Sequence, residues 1–176
     1  DVEKNAKDIC NFMVKADAQK TDILLLPELA LTGYTCGDLF FQDALWNGVK
    51  AGLGEIAACS AKHPRLTAVV GMPLRVGGKL YNCAAVIADG HICRFVPKTH
   101  IPGGEKRWFS SGKELPSNVE LTAIELGLRV PDIIGWYTPL SASALLRVGD
   151  AVIGIEICED LMAPSPISTG LAVRGA

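Results

Sequence analysis

Residues 149–164 read GDAVIGIEICEDLMAP, and the fold turns on how that stretch is parsed. Residues 152–156 are apolar and rich in β-branched side chains, with one glycine, which describes a buried strand that another backbone can approach closely. The run stops at Cys158, and two acids, Glu159 and Asp160, follow at once. Leu161, Met162 and Ala163 read as the first turn of a helix that Pro164 interrupts. A cysteine at a strand-to-helix corner meets unpaired N–H groups and the positive end of a helix dipole, which favours a thiolate. The same N–H groups can hold a developing oxyanion. Taken alone, Cys158 fits a buried structural role better than a reactive one.

Two further stretches end in the same way. Residues 23–26, ILLL, form a fully buried strand ended by Pro27, and Glu28 follows in LPELALTGYTCGDLF. Gly33 and Gly37 break that segment into loop, so Glu28 lies on the rim of a sheet, between apolar neighbours, rather than on a helix. Residues 91–96 form a strand closed by Pro97, and Lys98 opens KTHIPGGEKRWFSSG. An acid or a lysine in a loop is most often a solvated surface residue. Three chemically complementary groups, each just past a strand end, can instead converge on one rim.

The intervening chain supplies the rest of the sheet and its cover. Val2, Ala6, Ile9, Met13 and Ala16 recur on one helical face over residues 2–19, with Asp1 available as N-cap. Residues 42–62 predict a second helix with Leu45, Val49, Leu53 and Ile56 on one side, weakened by Gly48, Gly52 and Gly54. Residues 67–72 are a buried strand stopped by Pro73. Residues 74–76 and 79–87 flank a Gly77-Gly78 turn, and Asp89-Gly90 leads into 91–96. Alternating helices and strands with hairpins among them give an α/β class with a mixed sheet. No internal repeat or linker divides the chain.

Composition narrows the function. The 176 residues are 49% hydrophobic and 20% charged, enough for one domain with a sizeable core. A net charge of −2 without a basic, aromatic-laced cluster argues against nucleic acid as partner. No apolar run is long enough to span a membrane, and the opening DVEKNAKDIC lacks the pattern of a secretory leader. Cys10, Cys36, Cys59, Cys83, Cys93 and Cys158 show no C-x-x-C spacing, so the expectation is reduced thiols in the cytoplasm. His63, His91 and His100 are neither paired with one another nor spaced with cysteines, and no metal is expected.

Glu28, Lys98 and Cys158, in that order and each beyond a strand, resemble the nitrilase (carbon–nitrogen hydrolase) superfamily. PELALTGYTCGDLF and GIEICEDL are similar to one branch of it, the glutaminase domains of glutamine-dependent NAD+ synthetases. The resemblance covers residues 1–176 and implies a nitrilase-like α-β-β-α sandwich, here incomplete at both ends. It implies a Glu–Lys–Cys triad that hydrolyses the side-chain amide of L-glutamine, with Glu105 as the superfamily's second acid. It places Tyr34 and Glu159 in the glutamine pocket. Asp160 reads equally as a cap of the next helix and as an acid set to bind the substrate's α-ammonium. No cofactor is implied for the glutaminase step; ATP and Mg belong to the synthetase domain, the implied partner, for which the chain has no phosphate-binding glycine-rich loop. A homo-oligomer is expected. Branch members carry a longer loop between Pro102 and Glu105, where this chain has only Gly103 and Gly104. Three other readings remain open: an amidase or carbamoylase on another small amide, a non-catalytic nitrilase-like module, and a redox role for Cys158.

Overall fold

The computed structural model describes residues 1–116, 119–127 and 137–176. Helix α1, Val2–Ala18, is capped by Asp1, whose carboxylate accepts from the Lys4 N–H at 3.0 Å. It buries the five apolar positions that recur on its face. After β1, Ile23–Leu25, and a 3₁₀ turn at Gly37–Phe41, helix α2 spans Asp43–Ser60. A β-carbon on Gly52 would lie 3.1 Å from Leu31, 3.4 Å from Ala6 and 3.5 Å from Val2. The glycine that weakens α2 as an isolated helix is what lets α1 approach it.

Beneath the helices run β2, Thr67–Val76, β3, Lys79–Ala88, and β4, His91–Pro97. Beyond them lie β5, Val119–Thr122, the short α3, Ala123–Leu126, and β6, Tyr137–Leu140. The order β1-β2-β3-β4-β6-β5 forms a mixed six-stranded sheet, with β1 parallel to β2 and β4 parallel to β6. A separate antiparallel hairpin joins β7, Leu145–Val148, to β8, Ala151–Gly154. Two short helices follow, α4 at Glu159–Met162 and α5 at Ile167–Val173.

Alternation along the strands sorts the core. Ala68, Val70, Met72 and Leu74 of β2, with Cys83, Ala85 and Ile87 of β3, pack under α1 and α2. Val69, Ala84 and Val96 point to the opposite face, where Ile155 and Ile157 cover them. Strands apolar on both faces read as continuous hydrophobic runs, and for that reason β2 to β4 are plain in the sequence.

Several expectations need correction. Strand β2 does not stop at Pro73. The Asn82 carbonyl accepts from the Lys98 N–H at 2.8 Å and so points away from β2. Pro73, paired with Asn82, therefore aims its missing N–H away from β3, toward the side where β1 has already ended. No ladder bond is lost. Strand β1 is not fully buried, because it is a sheet edge and Leu25 is 72% exposed. The strand expected over residues 152–156 ends at Gly154 and is half-buried, being paired only with β7. What approaches Gly154 is the side chain of Leu171 on α5, not another backbone.

Candidate active site

Each candidate residue is set by a specific interruption of regular structure. The turn carrying Glu28 lies across β2 at Gly71, where a β-carbon would fall 2.3 Å from the Pro27 carbonyl oxygen and 2.4 Å from the Leu29 nitrogen. The Leu31 N–H donates to the Gly71 carbonyl at 3.0 Å, and Leu29 takes φ 54° to make the turn. Lys98 leaves the end of β4 and is fully buried. The Gly112 N–H donates to its carbonyl at 2.8 Å and holds the loop down. Cys158 sits at φ 49°, ψ −103°, a sharp elbow before α4, and is the one cysteine of the six whose side chain is exposed.

These loops bring four of the expected residues together. Lys98 Nζ donates to Glu28 Oε1 at 2.6 Å and to both carboxylate oxygens of Glu105 at 3.0 Å. The Tyr34 hydroxyl donates to Glu105 Oε1. Glu28 and Cys158 line one cavity of about 360 Å³, whose walls include Val69, Ala84, Ile155 and Ile157. Glu159 turns into a neighbouring cavity of about 630 Å³ with His100, Lys106 and Met162. Glu105 reaches Lys98 through a tight turn, in which its N–H donates to the Pro102 carbonyl at 2.9 Å. Asp38 braces that segment from outside, accepting from Arg107 Nε and Nη2 at 2.7 Å each and from Trp108 Nε1 at 2.9 Å.

Electrostatics follow from this packing. Burial pulls the Lys98 ammonium down, but its hydrogen bonds to Glu28 and Glu105 more than offset that and hold it above its ordinary value. The Tyr34 hydroxyl is pushed well up, first by donating to Glu105 and then by burial. The Cys158 thiol is also pushed up, by burial first and by the Glu28 charge second; Lys98 and the Glu159 N–H pull the other way. The expectation of a resting thiolate is thereby corrected. Helix α4 is a single turn with a weak dipole, and the adjacent carboxylate outweighs it.

Two residues in the cluster have contacts that the sequence reading did not anticipate. Asn82 Nδ2 donates to Glu28 Oε1 at 2.7 Å from within an apolar strand, and its Oδ1 is buried with no partner among the described residues. An asparagine inside LYNCAAVI, which buries a polar group amid apolar ones, was the available signal. Asp160 does not cap α4; its buried carboxylate accepts from Thr99, His100 and Ile157. Among the described residues no group of three or more His, Cys, Asp or Glu could hold a metal ion. No helix among them is long and apolar enough to cross a membrane.

Known proteins share this chain's sequence family and fold. The carbon-nitrogen hydrolase family model matches residues 1–176. A glutamine-dependent NAD(+) synthetase of Mycobacterium leprae is 32% identical over 178 residues, covering 100% of this chain and 25% of the relative. One from Arabidopsis thaliana is 28% identical over 180 residues, covering 99% of this chain and 24% of the relative. The chain thus spans about a quarter of the length of these relatives. The solved glutamine-dependent NAD(+) synthetase of Cytophaga hutchinsonii superposes with a TM-score of 0.74 at 31% identity, over 90% of this chain and 26% of that one. A nitrilase-superfamily amidase from Nesterenkonia AN1 shares the fold, with a TM-score of 0.75 at 18% identity, over 100% of this chain and 57% of that one.

Proposed function

The chain belongs to the carbon-nitrogen hydrolase family, and from that premise we propose that it hydrolyses the side-chain amide of L-glutamine and supplies ammonia to an ATP-dependent NAD+ synthetase. The observation that carries the reading is the buried Lys98, held at hydrogen-bond distance between Glu28 and Glu105 beside an exposed cysteine. The relatives' names direct the choice of glutamine.

The chemistry runs as two acyl transfers. The Cys158 thiol gives its proton to Glu28 as sulfur bonds to the amide carbon, so no standing thiolate is required. The carbonyl oxygen becomes an oxyanion held by the Glu159 N–H and by the positive charge of Lys98. Glu28 returns the proton to nitrogen, the C–N bond breaks and ammonia leaves a thioester on Cys158. Glu28 then takes a proton from water, which attacks the thioester; the C–S bond breaks, glutamate departs and sulfur recovers its proton. Glu105, bridged to Tyr34, orients Lys98. This reading assigns Tyr34 and Glu159 to recognition of the substrate's amino-acid end. Activation of the dinucleotide with ATP and Mg falls to a synthetase domain. The reduced thiol on which the cycle depends suits the cytoplasm.

Ammonia release from glutamine by the full-length protein tests the reading. Glu28→Gln and Lys98→Met should each lower it at least about a hundredfold while the melting transition persists. Near-normal release from either variant removes that residue from the mechanism. Turnover of small aliphatic or carbamoyl amides with glutamine untouched would install the amidase reading instead, and no turnover of any amide would leave a non-catalytic module.

A further inference from the structure

Two loops must keep register for Lys98 to serve an oxyanion on Cys158, and they share no strand pairing. One leaves β4 at Pro97; the other is the elbow between β8 and α4. Among the described residues, the hydrogen bonds that join them go to one side chain, 2% exposed. Asp160 Oδ1 accepts from the Thr99 N–H at 3.0 Å, the Thr99 hydroxyl at 2.6 Å and the His100 N–H at 2.6 Å. Asp160 Oδ2 accepts from the Ile157 N–H at 3.3 Å, and the Asp160 N–H donates to the Ile157 carbonyl at 3.1 Å. The carboxylate therefore binds the two residues after Lys98 and the residue before Cys158. It also closes the turn in which Cys158 adopts its positive φ.

His100 extends the tie. Lys113 Nζ lies 2.9 Å from His100 Nε2, and an amine that donates there makes Nε2 the acceptor. The imidazole proton then sits on Nδ1, 3.2 Å from Asp160 Oδ1.

We propose that Asp160 is a positioning residue for the reaction: its carboxylate fastens the Lys98 loop to the Cys158 elbow and thereby sets the placement of the cation against the sulfur. The inference rests on the reading of Glu28, Lys98 and Cys158 as the reacting groups. An amide cannot substitute for the carboxylate. Asparagine offers one acceptor oxygen, so either the Thr99–His100 donors or the Ile157 N–H would face an NH₂ group.

The test uses the full-length protein with Asp160→Asn, Thr99→Val and Thr99→Ser, and two readouts. In glutamine hydrolysis, Asp160→Asn should lower kcat about tenfold to a hundredfold with KM within about twofold, as expected when reacting groups are displaced by a fraction of an ångström to an ångström. Thr99→Val should lower kcat in the same sense by a smaller factor, and Thr99→Ser, which keeps the hydroxyl, should restore it. The second readout, the pH dependence of Cys158 alkylation by iodoacetamide, needs no glutamine. The thiol faces Glu28, Lys98 and the Glu159 N–H, so a displaced Lys98 moves the profile to higher pH. Simple removal of a negative charge would move it lower. An unchanged or lowered profile in Asp160→Asn, or kcat unchanged within about twofold, overturns the proposal. Should Asp160→Asn fail to fold, the Thr99 pair decides by the same criteria. A wild type inert toward glutamine sinks the functional reading while the alkylation profiles still decide the positioning role.

Discussion

Cys158 has φ 49° and ψ −103°, a backbone conformation costing a non-glycine residue about 1–3 kcal/mol. The strain turns the sulfur outward at the end of a half-buried hairpin, while the surrounding charges keep it protonated. The balance of those charges makes a signed prediction for alkylation. Because Glu28 raises the thiol and Lys98 lowers it, Glu28→Gln should shift the pH–rate profile of Cys158 to lower pH and Lys98→Met to higher pH. Peptide mapping should find Cys158 labelled first of the six cysteines, since burial pushes Cys10 up to about 12 and raises Cys36, Cys83 and Cys93. A shift to higher pH in Glu28→Gln or to lower pH in Lys98→Met, or equal labelling at Cys36, would sink the assignment of the charges around the sulfur. At this scale Glu28, Lys98 and Cys158 were legible because each directly follows a run that reads as strand. Asn82 was not, since its partner Glu28 lies 54 residues away in sequence and its own neighbours announce only a buried strand. Asp160 was misread for a related reason: an acid at the start of a helix ordinarily caps it, and only the tertiary fold brings Thr99 and His100 within its reach.

Among the elements, β2 does most to place the site. It carries core residues on one face, and on the other it supports the Glu28 turn at Gly71, where backbone meets backbone. Gly71→Ala would drive a methyl group into the Pro27 carbonyl and the Leu29 nitrogen, neither of which can rotate away as a side chain does. The expected loss is about 1–3 kcal/mol or more of stability, together with displacement of Glu28 from Lys98. Urea denaturation should show the fall in midpoint. Gly103→Ala, at a position with nothing within 4 Å, is the control and should stay within about 0.5 kcal/mol of wild type. Equal midpoints for the two would refute the contact. Helices α1 and α2 and the β2–β4 hairpins were readable from period and turn residues. Asp89 at φ 47° and Gly90 at φ 83° make the expected tight turn. Strands β5, β6 and β7, four residues each, are too short to carry a period and drew no reading.

Across the whole molecule the two faces of the sheet differ in cover. One lies under α1 and α2 and holds the main core; the other carries the cavity shared by Glu28 and Cys158, whose cover among the described residues includes Ile155 and Ile157. Leu24 and Leu25 show the contrast within one edge strand. Leu24 packs against the main core, whereas Leu25, pointing the opposite way, lines that cavity and stays 72% exposed. Leu161 and Met162 are exposed on α4. An apolar sheet edge with an open apolar face is the arrangement that promotes association between chains. Residues 1–176 produced alone should therefore elute from a sizing column in a concentration-dependent manner and bind a hydrophobic dye. Leu25→Glu should reduce both effects with little change in melting temperature, because the side chain has scant packing to lose. Leu24→Glu, which buries a charge in the main core, should instead abolish the cooperative transition. A concentration-independent monomer for the unsubstituted segment would show that this face is content in water.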